Sequence, residues 1–387
     1  MIRRFLWLIF GYFYRLIVKP LIFLMTPDKA HSSTLEFAGK VGEWRWMRWL
    51  VAFIFKNKKN DRLSQNIFGL DFENPIGLSA GFDKNAEAIN VTSNLGFGFG
   101  EVGSVTANKC EGNEKPWFYR LPLHKSMVVN VGLANVGSEA VLKKLDSNSN
   151  INSRYNVILS VAKTNTREVV TVEKGIEDYV ASAKRANKSN IVRMIELNIS
   201  CPNTFGGEPF TNSKDLEKLL TAIDKLKLKK PVVIKMPVDI NWTKTEKLLD
   251  VIVGHKIEGV TIANLAKDRT ILDLGDELPD SVAGNLSGKP TFELSNQLIK
   301  QTYVNYGDRL KIIGVGGVFS AEDAYLKIKL GASLVEFISA FIYQGPQLAS
   351  EINYDLIKML KNDGFDNISQ AVGASSLKKV EKTNDRN

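Results

Sequence analysis

The chain has 387 residues, 44% apolar and 24% charged, a composition with enough apolar side chains for a full globular core. Its two cysteines, Cys110 and Cys201, make no disulfide framework, and its three histidines (His31, His124, His255) stand in no HExxH or nucleophile–base arrangement. Zinc hydrolysis and Ser-His-Asp chemistry therefore have no support, and no metal site is expected. The net charge of +9 is spread over helical faces, such as Lys225, Lys227, Lys229 and Lys230, and over the C-terminal tail. No basic-aromatic stripe or RNA-binding signature accompanies it, so a nucleic-acid partner is not expected.

Residues 1–26 differ from everything after them. Met1-Ile-Arg-Arg4 leads into Phe5-Leu-Trp-Leu-Ile-Phe-Gly-Tyr-Phe-Tyr14, Arg15 and Lys19 interrupt, and Leu21-Ile-Phe-Leu-Met25 follows. A spanning helix needs roughly 20 largely uninterrupted apolar residues, and Arg15 falls in the middle of this run. No small-residue cleavage site follows, which argues against a signal peptide. The pattern predicts an uncleaved, aromatic-rich helix lying in the membrane interface, with a tilted span or a buried N-terminal helix as alternatives. Arg3 and Arg4 lean towards a cytoplasmic N-terminus. Residues 27–66 predict a small helical segment, Thr34 to Lys40 and Trp44 to Phe55, rich in aromatics: Trp44, Trp46, Trp49, Phe53 and Phe55. Such helices either form the mouth of an apolar tunnel or only pack on the domain beneath.

From Asn74 the rhythm becomes strand, loop, helix, repeated, and residues 67–370 read as one domain. The predicted strands are Pro75–Ser79, Gly100–Thr106, Val157–Ala162, Ile195–Ser200, Val232–Lys235, Gly259–Ala263, Ile312–Gly316 and Leu334–Ile338. Between the fourth and fifth, Asp215–Lys227 places Leu216, Leu219, Leu220, Ile223 and Leu226 on one helical face. The fold class is α/β: a (β/α)8 TIM barrel preceded by a small helical segment, with its site at the C-terminal ends of the strands. Residues 371–387 form a tail, polar and charged from Ser375, that is expected to be disordered.

The strand ends carry the chemistry. The first delivers Ala80, Gly81 and Lys84, the second Ser104 and Thr106, and the fourth Asn198, Cys201 and Asn203. Lys235 ends the fifth and Asn264 the sixth. Each alone is ordinary loop polarity, and Cys201 alone reads most simply as a packed thiol. Together, two lysines, three asparagines and a thiol on one rim are harder to explain as structure. Gly288, the loop Ile313-Gly-Val-Gly-Gly317 and Ser339 follow around strands seven and eight, where these barrels hold phosphate.

With these residues assembled, the chain resembles the dihydroorotate dehydrogenases, in particular the membrane-associated class 2 type that passes electrons to quinone. The resemblance runs from about Pro27 to Gly345 and rests on Pro27-x-x-Ala-His31, Asn74-Pro-Ile-Gly-Leu-Ser-Ala-Gly-Phe-Asp-Lys84, Gly112-Asn-Glu-Lys-Pro116 and Asn198-Ile-Ser-Cys-Pro-Asn-Thr204. It implies FMN, with Ala80, Gly81, Lys84, Ser104, Asn198 and Lys235 about the flavin and Gly288, Gly317 and Ser339 at its phosphate. It implies dihydroorotate held by Lys84, Asn130, Gly132, Leu133, Asn198, Asn203 and Asn264, with Cys201 as the base. It also implies a membrane quinone arriving through the N-terminal helices, lipid contact through the same helices, and a place in pyrimidine (UMP) biosynthesis. The barrel is then expected on the cytoplasmic side of a bacterial inner membrane, or at a mitochondrial inner membrane.

Several residues depart from the class 2 pattern. Cys201 stands where class 2 has Ser and the soluble class 1 enzymes have Cys. A free thiol has a pKa near about 8.5, and Lys84 is expected to lower it further. Val129-Asn-Val-Gly-Leu133 spaces its Asn and Gly one residue closer than the family does, which puts the reach of Asn130 in question. Leu265 and Ala263 replace hydroxyl residues, and Ser160 stands where an Asn usually contacts flavin. Two alternatives stay open on these grounds: a sibling FMN oxidoreductase acting on another dihydropyrimidine-like cyclic amide, and an FMN-binding, membrane-tethered barrel without turnover.

Overall fold

The protein is described from a computed structural model covering residues 2–272 and 278–376. Eight parallel strands close into a barrel in chain order: β1 (Ile76–Asp83), β2 (Phe99–Val105), β3 (Asn156–Val161), β4 (Val192–Asn198), β5 (Val232–Met236), β6 (Gly259–Ile262), β7 (Lys311–Val315) and β8 (Leu334–Phe337). Each matches an expected strand, with ends displaced by a few residues. The largest extension is in β1, which runs on to Asp83 because Gly81, at φ +110°, lets the strand bulge past its neighbour. The expected helix around Leu216–Leu226 is present at Ser213–Asp224, with Leu216, Leu219, Leu220 and Ile223 buried. Strand side chains are buried on both faces, as helices outside and a packed interior require.

The N-terminal end of the barrel is plugged. A hairpin of Gln65–Ile67 and Leu70–Phe72 seats Ile67 and Phe72 on Phe99, Ile158, Met194, Val233, Ile313 and Leu334. The opposite end carries a three-stranded antiparallel sheet, Phe118–Leu121, Ser126–Val129 and Asn285–Gly288, which the sequence reading did not anticipate.

The N-terminal segment forms α1 (Ile2–Phe13), a π-helical turn (Tyr14–Val18) and α2 (Lys19–Phe23), followed by α3 (Pro27–Glu43) and α4 (Arg45–Phe55). One side is anchored. Trp7 is buried, donates Nε1–H to the Ile54 carbonyl at 2.7 Å, and packs edge-on against Tyr354 of α5 (Leu348–Asn362). Tyr14 donates its hydroxyl to the Ile342 carbonyl at 2.6 Å. The other side is apolar and open: Phe5, Leu16 and Leu24 are 64%, 71% and 85% exposed. Trp46, Trp49 and Phe53 on α4, and Trp44 just before it, are exposed too. Residues 3–23 are long and apolar enough to cross a membrane by length and composition, with only 11% of that stretch buried. Among the described residues the helix is therefore not buried within its own chain.

The segment 371–376 departs from expectation. Ala371 and Ser376 are buried, and Ser376 donates its hydroxyl to the Leu330 carbonyl at 2.9 Å, so this stretch is packed on the barrel. Residues 377–387 lie outside the described residues.

Candidate active site

A cavity of about 910 Å³ opens at the C-terminal ends of the strands and runs out between the N-terminal helices. Its inner end is lined by Ala80, Gly81, Lys84, Ser104, Gly132, Leu133, Asn198, Cys201, Asn203, Lys235, Asn264, Gly288, Gly317 and Ser339. Its outer end is lined by apolar side chains of the helices, among them Phe10, Val18, Ile22, Phe37, Val51 and Phe55. The structure thus brings together every site residue expected from sequence except one. Asn130 turns away: its Oδ1 accepts from Asn113 Nδ2 at 2.9 Å, while Val129 and Val131 on either side line the cavity. The physical reason is the short Asn-Val-Gly spacing, in which Gly132 at φ +64° and Leu133 at φ +62° turn the chain one residue early.

The amides on the rim lock one another. Asn264 donates Nδ2–H to Asn198 Oδ1 at 3.0 Å and to Ser200 Oγ at 3.0 Å. Asn198 in turn donates to Ser104 Oγ at 2.8 Å. Asn203 donates to the Val129 carbonyl at 2.8 Å and accepts from Asn285, a residue the sequence reading missed. Lys84 donates to the Gly81 carbonyl at 2.8 Å. Burial draws its ammonium down to about 8, against the opposing pull of Asp83, Cys201 and Glu87.

Cys201 behaves differently from expectation. Burial pushes its thiol up to about 11, outweighing the backbone N–H of Asn203 and the charges of Lys84 and Lys163. The expected lowering by Lys84 is present in sign and loses in size, because desolvation of a thiolate inside the barrel costs more than one partly desolvated ammonium returns.

Beneath the cavity lies a cluster that no reading of the rim revealed. Glu101 on β2, Glu196 on β4 and Glu336 on β8 are buried and bring carboxylate oxygens within 4.8 Å of one another. Lys235 Nζ stands among them at 3.4, 3.6 and 3.9 Å. Burial would drive this lysine neutral, but the three glutamates hold its ammonium well above the ordinary lysine range. Burial and the neighbouring carboxylates raise Glu101, and burial and Glu196 raise Glu336 to about 8. The available sequence signal was a Glu set inside each of three apolar strands, Phe99-Gly-Glu101, Met194-Ile-Glu196 and Leu334-Val-Glu336.

At the far side of the inner end, Gly288 (φ +80°) and Gly317 (φ +68°) give close-approach backbone. A Cβ on Gly288 would stand 2.4 Å from the Lys125 carbonyl, and one on Gly317 2.5 Å from Phe292 Cβ. Ser339 Oγ lies 3.0 Å from Ser287 Oγ beside them.

A closed parallel barrel with a polar rim at the strand C-termini, covered by an apolar helical cap, defines a (β/α)8-barrel enzyme. The pattern of the dihydroorotate dehydrogenase family matches residues 62–360. A dihydroorotate dehydrogenase (quinone) of Gloeobacter violaceus is 32% identical over 94% of this chain and 99% of its own. One of Trichodesmium erythraeum is 35% identical over 82% of this chain and 85% of its own. The crystal structure of the Eimeria tenella enzyme with ferulenol superposes at a TM-score of 0.76, with 25% identity, covering 90% of this chain and 95% of that one. The chain belongs to the dihydroorotate dehydrogenase family.

Proposed function

We propose that this protein oxidises dihydroorotate to orotate and delivers the electrons to a quinone, the step that both curated relatives are named for. The observation that carries the reading is the single cavity joining a polar, lysine-and-amide rim to an apolar mouth between the N-terminal helices. An anionic, amide-rich substrate suits the first, and a greasy electron acceptor suits the second.

The cofactor supported by the site is FMN. Gly288 and Gly317 both line the cavity at positive φ, a backbone that glycine adopts freely, as a phosphate held by loop backbone requires. Ser339 completes that end, while Ala80, Gly81, Lys84, Ser104, Asn198 and Lys235 would hold the ring. FMN, when bound, supplies the redox chemistry, taking two electrons from the substrate and yielding them to the quinone. The charged Lys235, with carboxylates on its far side, offers a fixed cation to that ring.

The chain's own residues do the rest. Lys84 binds the substrate carboxylate, and Asn198, Asn203 and Asn264 orient its amides through side chains already fixed by mutual hydrogen bonds. Cys201 takes the proton from C5 as general base. The exposed apolar faces of α1, α2 and α4 dock the protein on lipid, so that quinone enters from the bilayer. This reading puts the barrel at the cytoplasmic face of a bacterial inner membrane, or at a mitochondrial inner membrane.

The test is anaerobic mixing of the detergent-purified protein with dihydroorotate, following the flavin band near about 450 nm. Bleaching, and recovery on adding a short-chain quinone, is expected. A yellow protein that stays oxidised would overturn the substrate assignment.

A further inference from the structure

We propose that Lys327 is a positioning residue for the cofactor phosphate: its ammonium, set behind the Gly316–Gly317 wall of the cavity, favours a flavin that carries the anionic group over one that lacks it. The proposal rests on the cofactor reading given above and deepens it.

Lys327 lies on the helix Ala321–Leu330, between β7 and β8, and is 0% exposed. Its ammonium donates to Ser295 Oγ at 2.5 Å and to Asn296 Oδ1 at 2.9 Å, both neutral acceptors. The Phe292 ring centre lies 5.0 Å away. The neighbouring carboxylates are engaged or turned to water: Asp323 pairs with Lys289 at 2.8 Å, and Glu293 is exposed. A buried ammonium held by neutral oxygens alone is costly, and an anion close by returns part of that cost. Burial draws Lys327 down to about 7, against the pull of Asp323 and Glu293 and with the repulsion of Lys289.

The cavity supplies the place for that anion. Thr291, Gly316 and Gly317 line it. Thr291 precedes the helix Phe292–Tyr306, which carries Ser295 in its first turn. The helix end is packed directly on the glycine loop, since a Cβ on Gly316 would stand 2.8 Å from Thr291 Oγ1 and 2.9 Å from Ser295 Oγ. The Lys327 ammonium is therefore one hydroxyl, that of Ser295, behind the wall. The N-terminus of this 15-residue helix lies at the same wall, so its dipole and the ammonium add in sign. Inside a protein a unit charge is felt across several ångströms, so contact with the phosphate is not needed. The bonds to Ser295 and Asn296 also tie two helices together, and the test separates that structural role from the charge.

The experiment measures the dissociation constants of FMN and of riboflavin, which differ only by the phosphate, on the full chain freed of flavin. Quenching of flavin fluorescence is followed in wild type, Lys327→Met and Lys327→Gln. Both variants remove the charge; Met keeps the apolar stem and Gln keeps a donor for Ser295 or Asn296. Expected in both is a loss of FMN affinity on the order of tenfold to a hundredfold, with riboflavin affinity within about twofold of wild type. Equal losses for the two flavins would make Lys327 structural and overturn the proposal, as would an unchanged FMN affinity. If one variant fails to fold, the other decides. A wild type that binds FMN no better than riboflavin overturns the phosphate assignment, and one that binds neither overturns the cofactor reading. A protein that binds FMN but is not bleached by dihydroorotate overturns the substrate assignment alone, and the two affinities still decide Lys327.

Discussion

Asn113 donates its side-chain amide to Asn130 Oδ1 at 2.9 Å, and this bond holds outside the cavity the asparagine that the resemblance assigns to the substrate. The rim is left with Asn198, Asn203 and Asn264, and the Asn264 amide bonds Asn198 and Ser200 together. Replacing Asn130 by Ala is expected to change kcat/KM for dihydroorotate by no more than about 0.5 kcal/mol, roughly twofold. Replacing Asn264 by Ala removes the proposed substrate contact and the shortest donor to Asn198 Oδ1, leaving Ser200 N–H at 3.3 Å and Ser200 Oγ at 3.4 Å, an effect of about 1–3 kcal/mol, on the order of tenfold to a hundredfold. Steady-state kinetics on the two variants checks the ranking, and equal losses would show that Asn130 does reach the substrate.

The pair Cys201 and Lys84 sets the pH dependence. In the proposed mechanism the working form needs a thiolate at Cys201, pushed up to about 11, and an ammonium at Lys84, drawn down to about 8. Below pH 8 the lysine is charged and the thiolate fraction rises tenfold per pH unit. Between 8 and 11 thiolate is gained as fast as ammonium is lost. A plot of log kcat/KM against pH is thus expected to climb with unit slope to about 8 and then level. A profile already flat from about pH 6 to 8 would mean that the thiol ionises far more readily than its burial allows. Cys201→Ala should lower kcat by about 10²–10⁴-fold with flavin retained.

Gly288 tests the cofactor end. An alanine there would meet the Lys125 carbonyl at 2.4 Å and would be held at φ +80°. Gly288→Ala is expected to purify with little or no yellow colour and to lose about 1–3 kcal/mol of stability from backbone strain. Absorbance at purification and urea denaturation check both. Full flavin content would place the phosphate elsewhere.

Arg120 holds the mouth. Its guanidinium donates to the carbonyls of Met25 at 2.8 Å and Phe23 at 3.1 Å, and lies 4.3 Å over the Phe23 ring. Arg120→Leu leaves those carbonyls unsatisfied and frees the end of α2. The KM for quinone should rise on the order of tenfold while that for dihydroorotate is unchanged, a split readable in a two-substrate assay. A rise in the dihydroorotate KM alone would put Arg120 at the wrong end of the cavity.

Much of this protein was determined by its sequence alone, because strand runs of Val, Ile and Leu separated by amphipathic helices have few ways to bury both faces other than a parallel barrel. That topology in turn puts the residues ending each strand on one rim, so Lys84, Ser104, Asn198, Cys201, Lys235 and Asn264 were legible as a site before any coordinates. What spacing along the chain cannot express is through-space competition. Only the tertiary structure decided that Asn130 pairs with Asn113, that burial overrides Lys84 at Cys201, and that residues 371–376 pack on the barrel. It alone brought Glu101, Glu196 and Glu336 from three separate strands around Lys235. A side chain's hydrogen-bond partner and its distance from water are properties of the packed interior, and they are set by neighbours dozens to hundreds of residues away.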